Sequence, residues 1–359
     1  MKSFRMRALV AAAGFATAGI MLHSGGASAQ NYPNRPITVI APYAAGGDSD
    51  LAGRNLAAAA VKYLGQPMIV QNIVGASGTI GSMRVRNATP DGYTLLIARG
   101  GSQAITPALE TKTPYKWNEF TMLSLLEFNP VVCVVKTDST HKNLKELLDA
   151  LKANPGKMNY ATAGPGTTQH MAVEVLFQSV SLPSSTAEPI GYKGGGEATA
   201  ALLGGQVEFL CNNLSTLGGQ LKGGTVRALF VTTAERLKEY PDIPTAREMG
   251  VPKMEQVMGW SGLYGPPGLP AEVVNKWVDT FKKLAVDPEW LKGNAGFGGV
   301  PAIRSPADTE KFAREQYEAY EKLGQLWACA NSQRAVCSTR LTLRPALDAG
   351  ILSGTTPAG

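Results

Sequence analysis

Short apolar runs alternate with helical periods along most of this chain. Pro36 leads into the continuous run Ile37 to Ala41, whose length and β-branching predict a buried parallel strand. Pro42 to Gly47 reads as a turn. Asp48 or Ser49 stands where it can cap a helix from about Asp50 to Leu64, which Gly65 closes. Met68 to Gln71 predicts a second strand, Asn72 to Gly78 a second glycine-rich loop, and Thr79 to Asn87 a second helix. Pro90-Asp91-Gly92 marks a turn before a third strand, Tyr93 to Ala98.

The run Val131 to Lys136 opens a second unit of the same kind. Leu144, Leu147, Leu148 and Leu151 form one face of a helix that Asn154-Pro155-Gly156 ends. Met158 to Ala161 is a short strand, and Gly164 to Thr168 a third glycine loop ahead of a helix carrying Met171, Val175 and Leu176. Val207 to Leu210, Arg227 to Thr232 and Trp260 to Tyr264 supply further strands. Pro270 opens a long amphipathic helix with Val274, Trp277, Val278 and Phe281 on one side. A last helix, about Ala307 to Leu323, turns Phe312, Tyr320 and Leu323 inward. Strands alternating with helices predict an α/β fold with a mainly parallel sheet covered on both faces.

The three glycine loops share one design: strand, glycines, helix start. A helix start leaves unpaired N–H groups and a partial positive charge, which suits a carboxylate or phosphate. Gly46, Gly47, Gly75 and Gly78 allow close approach of backbone to a ligand, although each could simply solve a turn. No Arg or Lys lies between Pro42 and Leu51, or between Gln71 and Ser82. A carboxylate held there would be met mainly by N–H groups, helped by the Ser77 and Thr79 hydroxyls. Arg54 is expected to pair with Asp50, one helical turn earlier.

Composition narrows the function. Lys2, Arg5 and Arg7 precede the apolar stretch Ala8 to Leu22, and Ala27-Ser28-Ala29 follows, so residues 1–29 read as a secretory signal peptide. The net charge of +6 falls to about +1 once this leader and the basic tail after Leu326 are set aside, which points away from nucleic acid. The glycine loops lack the G-x-G-x-x-G order and a following Walker lysine, so a nucleotide cofactor is not expected. With His141 and His170 alone after the leader, acid–base machinery is thin and no metal cluster is suggested. His170 reads either as a ligand donor or as a packed, hydrogen-bonded residue. Cys133 and Cys211 read as buried small hydrophobes, and Cys329 and Cys337 could bridge in an oxidising compartment.

At this point the chain resembles the Bug family, the periplasmic solute-binding proteins of tripartite tricarboxylate transporters. The likeness rests on ordered motifs: Tyr32-Pro33-Asn34-Arg35-Pro36, Pro42-Tyr43-Ala44-Ala45-Gly46-Gly47, Gly75-Ala76-Ser77-Gly78 and Pro90-Asp91-Gly92-Tyr93. It continues through Ala163-Gly164-Pro165-Gly166-Thr167-Thr168 with His170, Tyr192-Lys193-Gly194-Gly195, and Pro266-Pro267-Gly268-Leu269-Pro270. The resemblance implies a two-lobed type II binding protein, a Venus flytrap with mixed, mainly parallel sheets. Residues 31–127 with 253–325 would form one lobe and 128–252 the other, leaving 326–359 as an atypical tail, disordered or loosely docked.

It also implies that Tyr43, Ala44, Gly46 and Gly47, with Gly75, Ala76, Ser77, Gly78 and Thr79, grip a small organic carboxylate. Thr167, Thr168 and His170, with Asn212 and Asn213, would face it from the other lobe. The implied partners are the membrane components of the transporter, and a monomer without cofactor or catalysis is expected. A ligand-binding co-receptor for a membrane sensor, or an enzyme acting on a small carboxylate, are the alternatives. Two residues depart from the family pattern: Asp48, where a small or apolar residue is usual, and Val74 in place of proline. A carboxylate at position 48 is unfavourable beside an anion site unless it faces away.

Overall fold

The computed structural model describes residues 32–331. The leader lies outside these residues, as do the tail from 332 and the Cys337 half of the suggested bridge. In chain order the elements are β1 (Ile37–Ala41), α1 (Asp48–Leu64), β2 (Met68–Asn72), α2 (Thr79–Arg86), β3 (Thr94–Arg99) and α3 (Thr106–Leu109). They continue with β4 (Thr121–Lys136), α4 (Leu144–Ala153), β5 (Met158–Thr162), α5 (Thr168–Ser179), β6 (Ala187–Gly191), α6 (Gly195–Leu203), β7 (Phe209–Asn213) and α7 (Leu214–Lys222). The last are β8 (Val226–Val231), β9 (Met258–Gly265), α8 (Ala271–Leu284), α9 (Pro288–Gly296), β10 (Val300–Pro301) and α10 (Pro306–Asn331).

These strands form two halves of related design. In the first, β2, β1 and β3 lie side by side in parallel, β9 runs antiparallel to β3, and β4 follows antiparallel to β9. In the second, β6, β5 and β7 repeat the parallel trio, and β4 runs antiparallel to both β7 and β8. One long strand thus serves both sheets: its first part pairs with β9 up to Pro130 and its second with β7 from Val131. The apolar pattern predicts only Val131 to Lys136, because Pro130 interrupts the run. Proline is tolerated where the strand changes sheets and ladder pairing lapses. There the next amide, Val131 N–H, donates to the Thr232 hydroxyl at 3.0 Å.

Each half has its own apolar core. Val131, Val135, Leu147, Leu151, Tyr160, Phe177 and Phe209 pack in one. Ile40, Leu96, Leu125, Trp260 and Tyr264 pack in the other, and α10 closes over it with Ala313 and Tyr320. On α8 the stripe is Val273, Trp277, Phe281 and Leu284, with Val274 and Val278 only half-buried. The final helix runs past Leu323 to Asn331, so the first residues of the expected tail are helical.

Cys133 and Cys211 are buried, as expected, but they are not free small hydrophobes. They stand directly opposite each other on β4 and β7 and form a disulfide. Residues 78 apart in sequence give no sign of such pairing until the register of the two strands is known.

Candidate functional site

The carboxyl ends of the parallel strands in both halves converge on one small cavity, where open α/β sheets place ligands. Tyr43 follows β1, Asp48 begins α1, Arg99 ends β3 and Gly101 lies just beyond it. Facing them are Ala163 after β5, Thr167, Thr168 and Gln169 at the start of α5, Gly195 at the start of α6 and Asn213 at the end of β7. The water-accessible volume between them is about 20 Å³, roughly the space of one water. A ligand of several carbons would need the two halves to part.

The first loop spends most of its amides on protein. Ala44 N–H donates to the Lys193 carbonyl of the opposite half at 3.0 Å, and Gly47 N–H to Ala44 O at 3.2 Å. Gly46 N–H donates to Asp50 Oδ2 at 3.0 Å. The helix therefore starts at Asp48 with Gly47 as its cap, earlier than the sequence suggests, because Asp50 reaches back from the third helical position. Asp50 also accepts from Arg54 Nε at 3.0 Å, the pairing expected for that arginine.

In the second loop Ala76 and Ser77 are consecutive non-glycine residues in the left-handed region, at φ 46° and 53°. Each such residue costs on the order of 1–3 kcal/mol, so the surrounding structure must hold the turn. The Tyr43 hydroxyl does so, donating to Ser77 O at 2.7 Å. Burial pushes the Tyr43 phenol well above its usual pKa, which keeps that proton in place. A side chain at Gly78 would strike the Tyr43 ring at 2.9 Å. Thr79 begins α2 behind this turn.

Across the cavity, Thr167 donates to Gly164 O at 2.7 Å, and Thr168 begins α5. His170 does not line the cavity. Its Nδ1 accepts from Gly166 N–H at 3.3 Å, and burial, the larger effect, lowers its pKa against the pull of Glu174. Asn212 is fully buried and committed within its own half: its Nδ2 donates to Gly195 O and Thr199 Oγ1, and its Oδ1 accepts from Gln169. Asn213 reaches over, donating from Nδ2 to Asp48 Oδ2 at 2.8 Å, and the Ser215 hydroxyl donates to Asp48 Oδ1. Asp48 therefore faces the cavity.

One cavity residue escaped the reading of the loops. Arg99 is 4 % exposed, with Nη2 3.4 Å from Asp48 Oδ2 and Nη1 donating to Ser261 Oγ at 2.5 Å. The two loops hold no arginine, yet β3 carries one between them. Its signal in the sequence was a charged residue closing a buried strand, at the end where ligands bind. Glu127 lies 4.0 Å from Arg99 and accepts from Ser261 and Asn129.

Residues 52–326 match the family model for the tripartite tricarboxylate transporter family receptor. The chain belongs to that family. BugT of Bordetella pertussis is 30% identical over 307 residues, which cover 85% of this chain and 92% of BugT. Among solved structures, MatC of Rhodopseudomonas palustris with bound malate is 30% identical with a TM-score of 0.77, covering 82% of this chain and 100% of MatC. A second R. palustris protein, with adipate, is 25% identical with a TM-score of 0.77, covering 82% of this chain and 97% of that protein. The fold is thus the two-lobed α/β architecture of the family's periplasmic binding proteins. No helix among the described residues is long and apolar enough to cross a membrane, and no group of three or more His, Cys, Asp or Glu among them suits a metal.

Proposed function

We propose that this receptor binds a small organic carboxylate between its two lobes in the periplasm and delivers it to the membrane components of a tripartite tricarboxylate transporter. The lobes would comprise residues 31–127 with 253–325, and 128–252. The observation that carries the reading is the convergence of Tyr43, Asp48 and Arg99 from one half on Thr167, Thr168 and Asn213 from the other. Family relatives hold malate or adipate, both small dicarboxylates.

The carboxylate would sit between the starts of α1 and α2, meeting Tyr43 to Gly47 on one side and Gly75 to Thr79 on the other. The far lobe would close on it with Thr167 and Thr168. Partial positive charge at helix starts suits an anion there, and Arg99 supplies the full charge that the loops lack. Ligand that contacts both lobes favours the closed form by its differential affinity for it. No bond is made or broken, and the protein acts as a monomer after losing its leader.

Thermal melting of the mature chain against di-, tri- and aromatic carboxylates tests this reading, with recovered ligand checked by NMR. At least one acid should raise the melting temperature and return unchanged. A panel without any stabilising acid, or a recovered ligand converted to product, would overturn it.

A further inference from the structure

The cavity wall is not uniformly positive, as a site for a simple anion would be. Asp48 and Arg99 stand side by side in it, both more than nine-tenths buried. The guanidinium lies 3.4 Å from Asp48 through Nη2, while its Nη1 donates to Ser261. Asp48 takes one protein hydrogen bond on each oxygen, from Asn213 and Ser215, although each oxygen has two lone pairs. Acceptor capacity and cationic donors thus lie next to each other, on groups that line the same space.

A carboxylate alone would meet Arg99 favourably and Asp48 unfavourably. A carboxylate with a donor on the adjoining carbon meets both: its anion faces the guanidinium and helix starts, and its ammonium or hydroxyl faces Asp48. A site built around a buried acceptor discriminates against the analogue that lacks the donor, because the acceptor is then left without its partner. We infer that Asp48 and Arg99 are specificity-determining residues, selecting a small acid with an ammonium or hydroxyl beside its carboxylate over the same acid without one. This rests on the carboxylate-binding reading above.

Calorimetric titration of the mature chain with two matched sets tests it: succinate, L-malate and L-aspartate, then glutarate, 2-hydroxyglutarate and L-glutamate. A hydrogen bond to a charged group corresponds to roughly 10- to 100-fold in affinity, so a donor-bearing acid should bind at least about tenfold more tightly than its parent. Aspartate ahead of malate would identify an ammonium as the donor, and the reverse a hydroxyl. In Asp48→Asn that ratio should narrow to within about threefold, and Arg99→Gln should weaken every acid in the set. Should the variants fail to fold, the ratio in the unaltered protein still decides. A parent acid that binds as tightly as its donor-bearing partners refutes the inference, as does binding confined to donor-free aromatic acids. An unchanged ratio in Asp48→Asn would also refute it. If no carboxylate of any class binds, the reading of the site as a carboxylate site is what fails.

Discussion

Glu127 is fully buried on β4 beside Arg99, and its Oε2 has no hydrogen-bond partner. Burial raises its carboxyl from 4.5 to about 7, against the opposing pull of Arg99 and the hydrogen bond from Ser261. Folding therefore favours the protonated form. The stability this provides is complete below pH 4.5 and is lost as pH rises through about 7. At 1.36 kcal/mol per unit the loss is at most ~3 kcal/mol. Glu127→Gln keeps an acceptor for Ser261 and Asn129 but cannot ionise. Urea unfolding at pH 5 and pH 8 should show the natural protein losing stability over that interval and the variant losing less. An equal loss in both would place the pH dependence elsewhere. The sequence shows neither this group nor Arg99 as part of the site, because each is remote from the glycine loops in the chain. What was legible were the loops themselves, whose glycine and helix-start chemistry is local. The partners that β3, β4 and β7 bring in depend on strand order, which is not.

The same division holds for whole elements. Most strands and helices of the first half were readable from short apolar runs and their glycine or proline boundaries. The sequence pattern does not predict α6, α7 and α9, since their glycine-rich or short sequences show little period. The apolar pattern shows only Val131 to Lys136 of the 16-residue β4, because Pro130 hides its continuation. The register that pairs β4 with β7 also places Cys133 against Cys211, and this bond closes a long loop that spans most of the second half. Loop-closure entropy for a span of that size is roughly 4 kcal/mol, an upper figure where the unfolded chain keeps residual structure. Replacing both cysteines by alanine should lower the unfolding free energy by up to that amount, read as a shift in urea midpoint. The natural protein should shift similarly when reduced. A double variant as stable as the oxidised protein would show that the bridge contributes nothing under those conditions.

At the scale of the molecule, two halves with the same strand plan meet at the carboxyl ends of their parallel strands. They are tied there by Ala44 to Lys193 and by Asp48 to Asn213 and Ser215. These links join loop to loop and side chain to side chain. That is the kind of contact which can open for a ligand and reform around it. The small space they enclose brings functional groups of both halves together. A crystal structure grown with the acid that melts highest in the carboxylate panel shows directly where that acid binds. The account predicts the acid enclosed between the lobes, its carboxylate at the starts of α1 and α2 within reach of Arg99, with Thr167 or Thr168 contacting it from the other side. The contradicting result is an acid bound outside that cleft, for instance in the open surface hollow lined by Lys136, Thr137 and Thr225, with the Tyr43 and Thr167 loops untouched.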